Sequence, residues 1–185
     1  MRRYLIIAAG LTLLGLVRAD LLWLMLVFIA GNQAGYVNRW GWLFGKKPVS
    51  VQLLGPNKTW GAYYAGPLFA VPAVVVLSVC FPITATQFGV TSFFGAVGAG
   101  SIIGFGVVLG DHGNSLLKRW VFRIKPGDSW PTDRFDWALC GSLAAKLVLS
   151  GVTWSDVLLL VVIAVPIHYL GNKNAHERGW RETPH

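Results

Sequence analysis

Apolar residues along the chain are gathered into long blocks that are separated by polar stretches. Six blocks can be drawn, at about residues 4–17, 21–37, 62–82, 92–110, 137–151 and 154–171. A transmembrane helix needs about 20 predominantly apolar residues, within a range of roughly 17–25. The first and fifth blocks are short against that length, so we expect six spans, or five with the first block peripheral. The pattern predicts an all-α polytopic membrane protein.

Composition agrees with this class. The mean hydropathy is +0.54 and only 13% of the residues are charged, against about 25% in soluble domains. Cys80 and Cys140 both lie in apolar blocks, which favours small hydrophobic residues over a disulfide or metal pair. The chain start resembles a signal peptide, but Arg18-Ala19-Asp20 follows the apolar run instead of a small-residue cleavage site. We therefore expect a single integral membrane domain over residues 1–185.

Basic residues predict the orientation of this domain. If the N-terminus is cytoplasmic, 14 of the 16 Lys and Arg residues fall in inner connections or at inner termini. This positive-inside bias explains the net charge of +8 better than nucleic-acid binding does. The polar loops at about 38–61 and 111–136 then face the cytoplasm. We expect a multi-pass protein of the cell membrane, with both termini and two active-site loops on the cytoplasmic side.

The second loop concentrates acidic residues. It holds four of the eight in the chain, namely Asp111, Asp128, Asp133 and Asp136. If the fourth block continues as a helix past residue 111, Asp111, Ser115 and Lys118 share one face. Asp133 and Asp136 are three residues apart, so on a helix their carboxylates would point the same way. Two such carboxylates can hold Mg²⁺. The alternative is a set of ordinary solvated charges that cap the fifth block.

The first loop contains Gly55-Pro56-Asn57-Lys58-Thr59-Trp60-Gly61. Its spacing differs from the phosphate-binding P-loop, which requires Gly-x₄-Gly-Lys-Ser/Thr. Backbone N–H groups and Lys58 at the start of a helix can still bind phosphate. A turn followed by Trp60 as an interfacial anchor is the alternative.

These motifs together resemble the CTP:phosphatidate cytidylyltransferases, whose pattern is Ser-x-x-Lys-Arg, a Lys-Asp step and a terminal Asp-Arg-x-Asp. This chain has Lys125-Pro126 at the Lys-Asp step. The matching residues here are Ser115, Lys118, Arg119, Lys125, Asp133, Arg134 and Asp136. The smaller archaeal branch, the CDP-archaeol synthases, is more similar still. Its Gly-Pro-x-Lys-Thr-Trp loop corresponds to 55–60, its Gly-Asp step to 110–111, and its Ile-Lys-Pro-Gly and Trp-Pro segments to 124–127 and 130–131.

The resemblance implies an enzyme that uses CTP and a membrane lipid phosphate to make a CDP-lipid and pyrophosphate. It implies catalytic roles for Asp111, Lys118, Asp133 and Asp136, with Asp111, Asp133 and Asp136 as Mg²⁺ ligands. It implies nucleotide or phosphate binding by Asn57, Lys58, Thr59, Ser115, Arg119, Lys125 and Arg134. The expected partners are CTP, the lipid and the bilayer, with a homodimer as a further expectation and no nucleic acid.

Two other functions remain open at this point. A lipid-alcohol kinase would use similar metal and phosphate groups but would release a nucleoside diphosphate. A transporter or an inactive membrane scaffold is the non-enzyme alternative. Transporter sites lie near the bilayer midplane, whereas the charges of this chain lie at the edges of the apolar blocks. The residues also leave open whether the lipid tails are diacyl or ether-linked isoprenoid.

Overall fold

The regular structure is entirely helical in the computed structural model, which describes residues 18–33, 44–125, 128 and 130–179. Within these ranges six α-helices, α1 to α6, span Ala19–Asn32, Trp60–Cys80, Pro82–Gln87, Phe93–Trp120, Asp136–Val148 and Trp154–Glu177. A 3₁₀ turn, Pro131–Arg134, precedes α5. The block predicted at 4–17 lies outside the described residues.

The chain is a polytopic membrane protein, as the apolar blocks predicted. Helices α2, α4 and α6 are each long and apolar enough to cross a bilayer. Helices α1 and α5 have 14 and 13 residues, so each rises about 20 Å, against a hydrocarbon core of about 30 Å. The weak fifth block is therefore a short helix, and five of the six predicted blocks correspond to helices.

Helix α4 is the centre of the bundle, and its glycines explain how closely it packs. A Cβ added at Gly104 would lie 2.6 Å from the Gly66 carbonyl oxygen of α2. A Cβ added at Gly106 would lie 2.6 Å from the Ala144 Cβ of α5. Small residues let helix backbones approach closely in a membrane, where packing replaces the hydrophobic effect as the force between helices. Two glycine-lined faces of α4 thus hold α2 and α5 against it.

The bundle has two polar ends. At one end Arg18, before α1, pairs with the buried Asp156 of α6 at 2.7 Å, and Thr153 caps α6. Lys146 of α5 reaches this end, where its ammonium donates to the Val152 carbonyl and lies 5.3 Å from the Trp154 ring centre. This geometry is that of a snorkelling lysine. The start of α2, the end of α4 and the start of α5 meet at the opposite end.

Candidate active site

The two polar loops predicted from sequence meet at that opposite end. Lys58, just before α2, donates a hydrogen bond from its ammonium to a carboxylate oxygen of Asp111 in α4. Backbone hydrogen bonds join the two ends of the loop that carries Lys58. The Val49 N–H donates to the Lys58 carbonyl at 2.8 Å, and the Trp60 N–H donates to the Lys47 carbonyl at 3.1 Å. The first loop is therefore anchored to α4 by an ion pair.

A second contact between the first loop and α4 involves Arg119. Gly55 has a φ of +88°, and a Cβ added there would lie 2.6 Å from Arg119 Nη2. The Arg119 Nη1 group donates to the Ser115 carbonyl at 3.2 Å, whereas the buried Nε–H has no acceptor among the described residues. A buried cationic donor without a partner is costly. The Arg119 guanidinium is thus suited to an anionic ligand.

The second loop is organised by Asn114, a residue that the sequence reasoning missed. Its Nδ2 donates to Asp133 Oδ1 at 2.6 Å and to Asp136 Oδ2 at 2.7 Å. Asn114 follows Asp111 by three residues in a continuous helix that runs on to Trp120. The same three-to-four residue rule that groups Asp111 with Lys118 therefore identifies Asn114 as a member of that face.

Asp133 and Asp136 do not share one helix, so that part of the prediction is wrong. Asp133 lies in the 3₁₀ turn and Asp136 begins α5, with Phe135 between them at φ −141° and ψ −4°. Pro131 begins the turn, and the Asp133 carboxylate accepts from the Trp130 N–H at 2.8 Å, which fixes the turn as a separate element. The two carboxylates approach each other through Asn114 rather than through helical spacing.

Lys118 neutralises Asp133. Its ammonium lies 2.7 Å from Asp133 Oδ2 and 3.0 Å from Oδ1, and it also donates to the Asp128 carbonyl at 2.8 Å. The side chains of Lys118 and Asp133 are 12% and 29% exposed. Because the pair is partly shielded from water, its attraction exceeds that of a surface ion pair.

Asp136 is the most buried of the three aspartates, at 8% exposure. One of its oxygens accepts from the Trp137 N–H at 2.6 Å. Burial raises the pKa of the Asp136 carboxyl to about 7, and the charge of nearby Asp111 acts in the same direction. Asp111 is 42% exposed. The structure therefore brings Asp111, Asp133 and Asp136 to one end of the bundle, where the charge of Asp111 acts on Asp136.

Other predicted site residues have different surroundings. The Ser115 hydroxyl donates to the Asp111 carbonyl of its own helix at 3.0 Å. Thr59 is buried at the N-cap of α2. Arg134 is exposed, and its guanidinium lies 5.8 Å from the Tyr169 ring centre. Asn57 and Lys125 are exposed. In the described part of the chain no hydrogen bond or ion pair joins the side chains of Ser115, Arg134, Asn57 and Lys125 to the aspartate carboxylates.

The three aspartates are the candidate ligands for a cation. Among the described residues no group of three or more His, Cys, Asp or Glu side chains is arranged to hold a metal ion. Lys58 and Lys118 instead contact Asp111 and Asp133 directly. The donor set nevertheless fits Mg²⁺, because hard divalent cations prefer carboxylate oxygens. Burial is the main cause of the raised pKa of Asp136, and the charge of Asp111 adds to it.

Comparison with known proteins agrees with this arrangement. Residues 15–136, more than half of the chain, match the cytidylyltransferase family. The chain is 29% identical over 181 residues to the CDP-archaeol synthase of Halorubrum lacusprofundi, covering 93% of this chain and 99% of that relative. It is 28% identical over 148 residues to the CDP-archaeol synthase of Pyrococcus horikoshii, covering 76% of this chain and 80% of that relative. No solved structure matches.

Proposed function

Because the chain belongs to the cytidylyltransferase family and is a CTP-dependent nucleotidyltransferase, we propose that it transfers the cytidylyl group of CTP to a membrane lipid phosphate. The products are a CDP-lipid and pyrophosphate. The relatives are named CDP-archaeol synthase, which favours an ether-linked archaeol-type phosphate over phosphatidic acid as the acceptor. One observation carries the proposal. Lys58 of the first loop and the lysine and aspartates of the second loop meet at one end of a membrane bundle.

The attacking group needs little activation. A phosphomonoester has a second pKa of about 6, so the lipid phosphate is mostly dianionic at neutral pH. Repulsion between this dianion and the triphosphate is the main obstacle, and cations that face the developing charge reduce it. Lys58 and Lys118 can contribute in this way, because a ligand phosphate can replace the carboxylates that they contact now.

Other cations bind and orient the substrates. Arg119 has an unused buried N–H and binds a phosphate of CTP or of the lipid. Asn57 and Thr59 border the phosphate from the first loop, with Ser115 beside Arg119. Lys125 and Arg134 are exposed and act as outer cations that attract the nucleotide.

The proposed cofactor is Mg²⁺, held by Asp111, Asp133 and Asp136. When bound, it supplies positive charge beside the phosphates and favours the departure of pyrophosphate. Asp136 and Asn114 are themselves buried, so charge interactions at these two residues are screened less than at the surface.

The direct test offers CTP and Mg²⁺ to the purified full-length protein in detergent. We expect pyrophosphate release with an archaeol-type phosphate, and less release with phosphatidic acid. Release of a nucleoside diphosphate from a lipid alcohol would instead identify a lipid kinase. Failure to turn over either lipid phosphate would contradict the proposal and would leave an inactive scaffold or a transporter.

We also propose that the site faces the cytoplasm, where CTP is available, as the distribution of basic residues predicts. Cysteine labelling tests this orientation in a variant that carries Cys80→Ser and Cys140→Ser. Cysteine introduced at Asn57 is expected to react with a membrane-impermeant maleimide only after cells are permeabilised. Gln87 is exposed and lies at the other end of the bundle from the aspartates, beside Gly151. Cysteine introduced there is expected to react in intact cells. The reverse pattern would contradict the orientation.

Gly55→Ala is expected to lower kcat/KM for CTP by about tenfold or more, because its new methyl group would displace the Arg119 guanidinium. Gly45→Ala is the matched control. Gly45 also has a positive φ, +73°, but a Cβ there meets nothing within 4 Å. Both variants bear a similar backbone cost of about 1–2 kcal/mol. Equal kcat/KM for CTP in the two variants would mean that Arg119 does not contribute to nucleotide binding.

A further inference from the structure

The buried Asn114 and the half-buried Thr132 form a polar link between α4 and the aspartates. Asn114 is 9% exposed. Its Nδ2 group uses its two hydrogens on two different carboxylates, those of Asp133 and Asp136. Its Oδ1 accepts from the Thr132 hydroxyl at 2.5 Å. The amide is therefore hydrogen-bonded on both sides.

The orientation of the Asn114 amide follows from its neighbours. The reverse orientation would place the carbonyl oxygen against two carboxylates, which offer no proton when ionised. The Thr132 hydroxyl donates to the Oδ1 side and satisfies a carbonyl that would otherwise be buried without a partner. Thr132 thus stabilises the orientation in which both N–H bonds point at Asp133 and Asp136.

The spacing of the two carboxylates depends on this amide. Asp133 belongs to the 3₁₀ turn and Asp136 to α5, so no single helix holds them in register. One oxygen of each contacts the same nitrogen, at 2.6 and 2.7 Å. That nitrogen is fixed to α4, the helix that also carries Asp111. Asn114 therefore connects three elements that each supply one carboxylate.

We propose that Asn114 and Thr132 are positioning residues that set the separation of Asp133 and Asp136 for a divalent cation. This inference rests on the proposed function, because it takes the three aspartates as ligands. Partners that orient metal ligands through hydrogen bonds commonly change metal affinity by about 10–100-fold when they are removed. The pair acts through the carboxylates and does not contact the substrates.

Direct Mn²⁺ binding to the full-length protein in detergent, measured by electron paramagnetic resonance without substrates, tests the inference. Asn114→Leu is expected to raise the Kd for Mn²⁺ by about 10–100-fold. Thr132→Val, which removes only the hydroxyl, is expected to raise it by several-fold, and Thr132→Ser to restore it. The double variant is expected to bind no more weakly than Asn114→Leu, because both changes disrupt one link. KM for the lipid should not change.

Several outcomes would overturn the inference. Unchanged Mn²⁺ binding in Thr132→Val would do so even if Asn114→Leu failed to fold. Additive losses in the double variant would mean that the two residues act separately. A wild-type protein that turns over lipid but binds no Mn²⁺ would refute the inference and leave the proposed transferase standing. Mn²⁺ binding with the expected variant pattern but no turnover of any lipid phosphate would refute the transferase alone.

Discussion

Asp136→Asn is expected to lower turnover by at least about 100-fold while the helical bundle stays assembled. Asp136 begins α5, is 8% exposed and accepts hydrogen bonds from Asn114 and from the Trp137 N–H. The substitution keeps the size of the side chain but removes the negative charge proposed to hold Mg²⁺. Misplacement or loss of charge stabilisation at a reacting phosphate commonly costs a factor of about 10² or more.

The measurement is pyrophosphate release over a range of Mg²⁺ concentrations, with folding monitored by thermal unfolding. Asp128→Asn is the matched control. Asp128 is an exposed aspartate of the same loop. It contacts Lys118 through its backbone carbonyl, which the substitution leaves in place. The control is expected to retain turnover within about twofold, as surface substitutions usually do. Equal turnover in the two variants would mean that Asp136 is not a ligand of the proposed cation.

The raised pKa of Asp136 gives the same substitution a pH-dependent signature in stability. The folded-state pKa is about 7 against an ordinary 3.8, so the folded chain keeps this proton at a pH where the unfolded chain has released it. The stabilising contribution is complete below about pH 4 and is lost as the pH rises through about 7. Without a divalent cation, the wild-type Tm should therefore fall relative to that of Asp136→Asn as the pH rises from about 4 through about 7. Mg²⁺ at about pH 8 should reduce the difference.

The membrane fold was predictable because the bilayer imposes a length and a polarity on each helix. Apolar blocks fixed the approximate positions of α2, α4 and α6, which are long enough to cross. The meeting of the two loops also followed from sequence, since charges excluded from the bilayer gather at helix ends. The Lys58–Asp111 ion pair is the observed form of that meeting. The site roles of these residues stay predictions.

Local geometry of the second loop was not predictable in the same way. The spacing of Asp133 and Asp136 fits a helix, but Pro131 and the N–H of Trp130 stabilise a separate 3₁₀ turn. A three-residue spacing cannot distinguish these two conformations, since both bring such side chains to one side. Asn114 was missed because a neutral amide carries no charge pattern. Its importance comes from its position between two carboxylates, which only the packing of α4 against α5 creates.

That packing leads to the second large expected effect, that of Gly110→Ala. Gly110 lies in α4 directly before Asp111, and a Cβ added there would clash with the carbonyl oxygen of Asp136 and lie 3.0 Å from the Cys140 Cβ. The carbonyl belongs to the backbone of α5, so no side-chain rotation relieves the clash. Helix α5 must move away from α4, at a cost of about 1–3 kcal/mol. Because Asp136 moves with α5, a shift of about 1 Å is expected to lower kcat by about 100-fold.

Gly113→Ala provides the matched control for this variant. Gly113 lies three residues further along the same helix, is exposed, and has nothing within 4 Å of an added Cβ. Alanine there should stabilise the helix by up to about 1 kcal/mol and leave turnover unchanged. Steady-state kinetics and thermal unfolding of both variants distinguish the effects of packing and of helix propensity. Full turnover and a normal Tm in Gly110→Ala would contradict this prediction. It would mean that the close approach of α4 and α5 at Gly110 is not needed to hold Asp136 near Asp111.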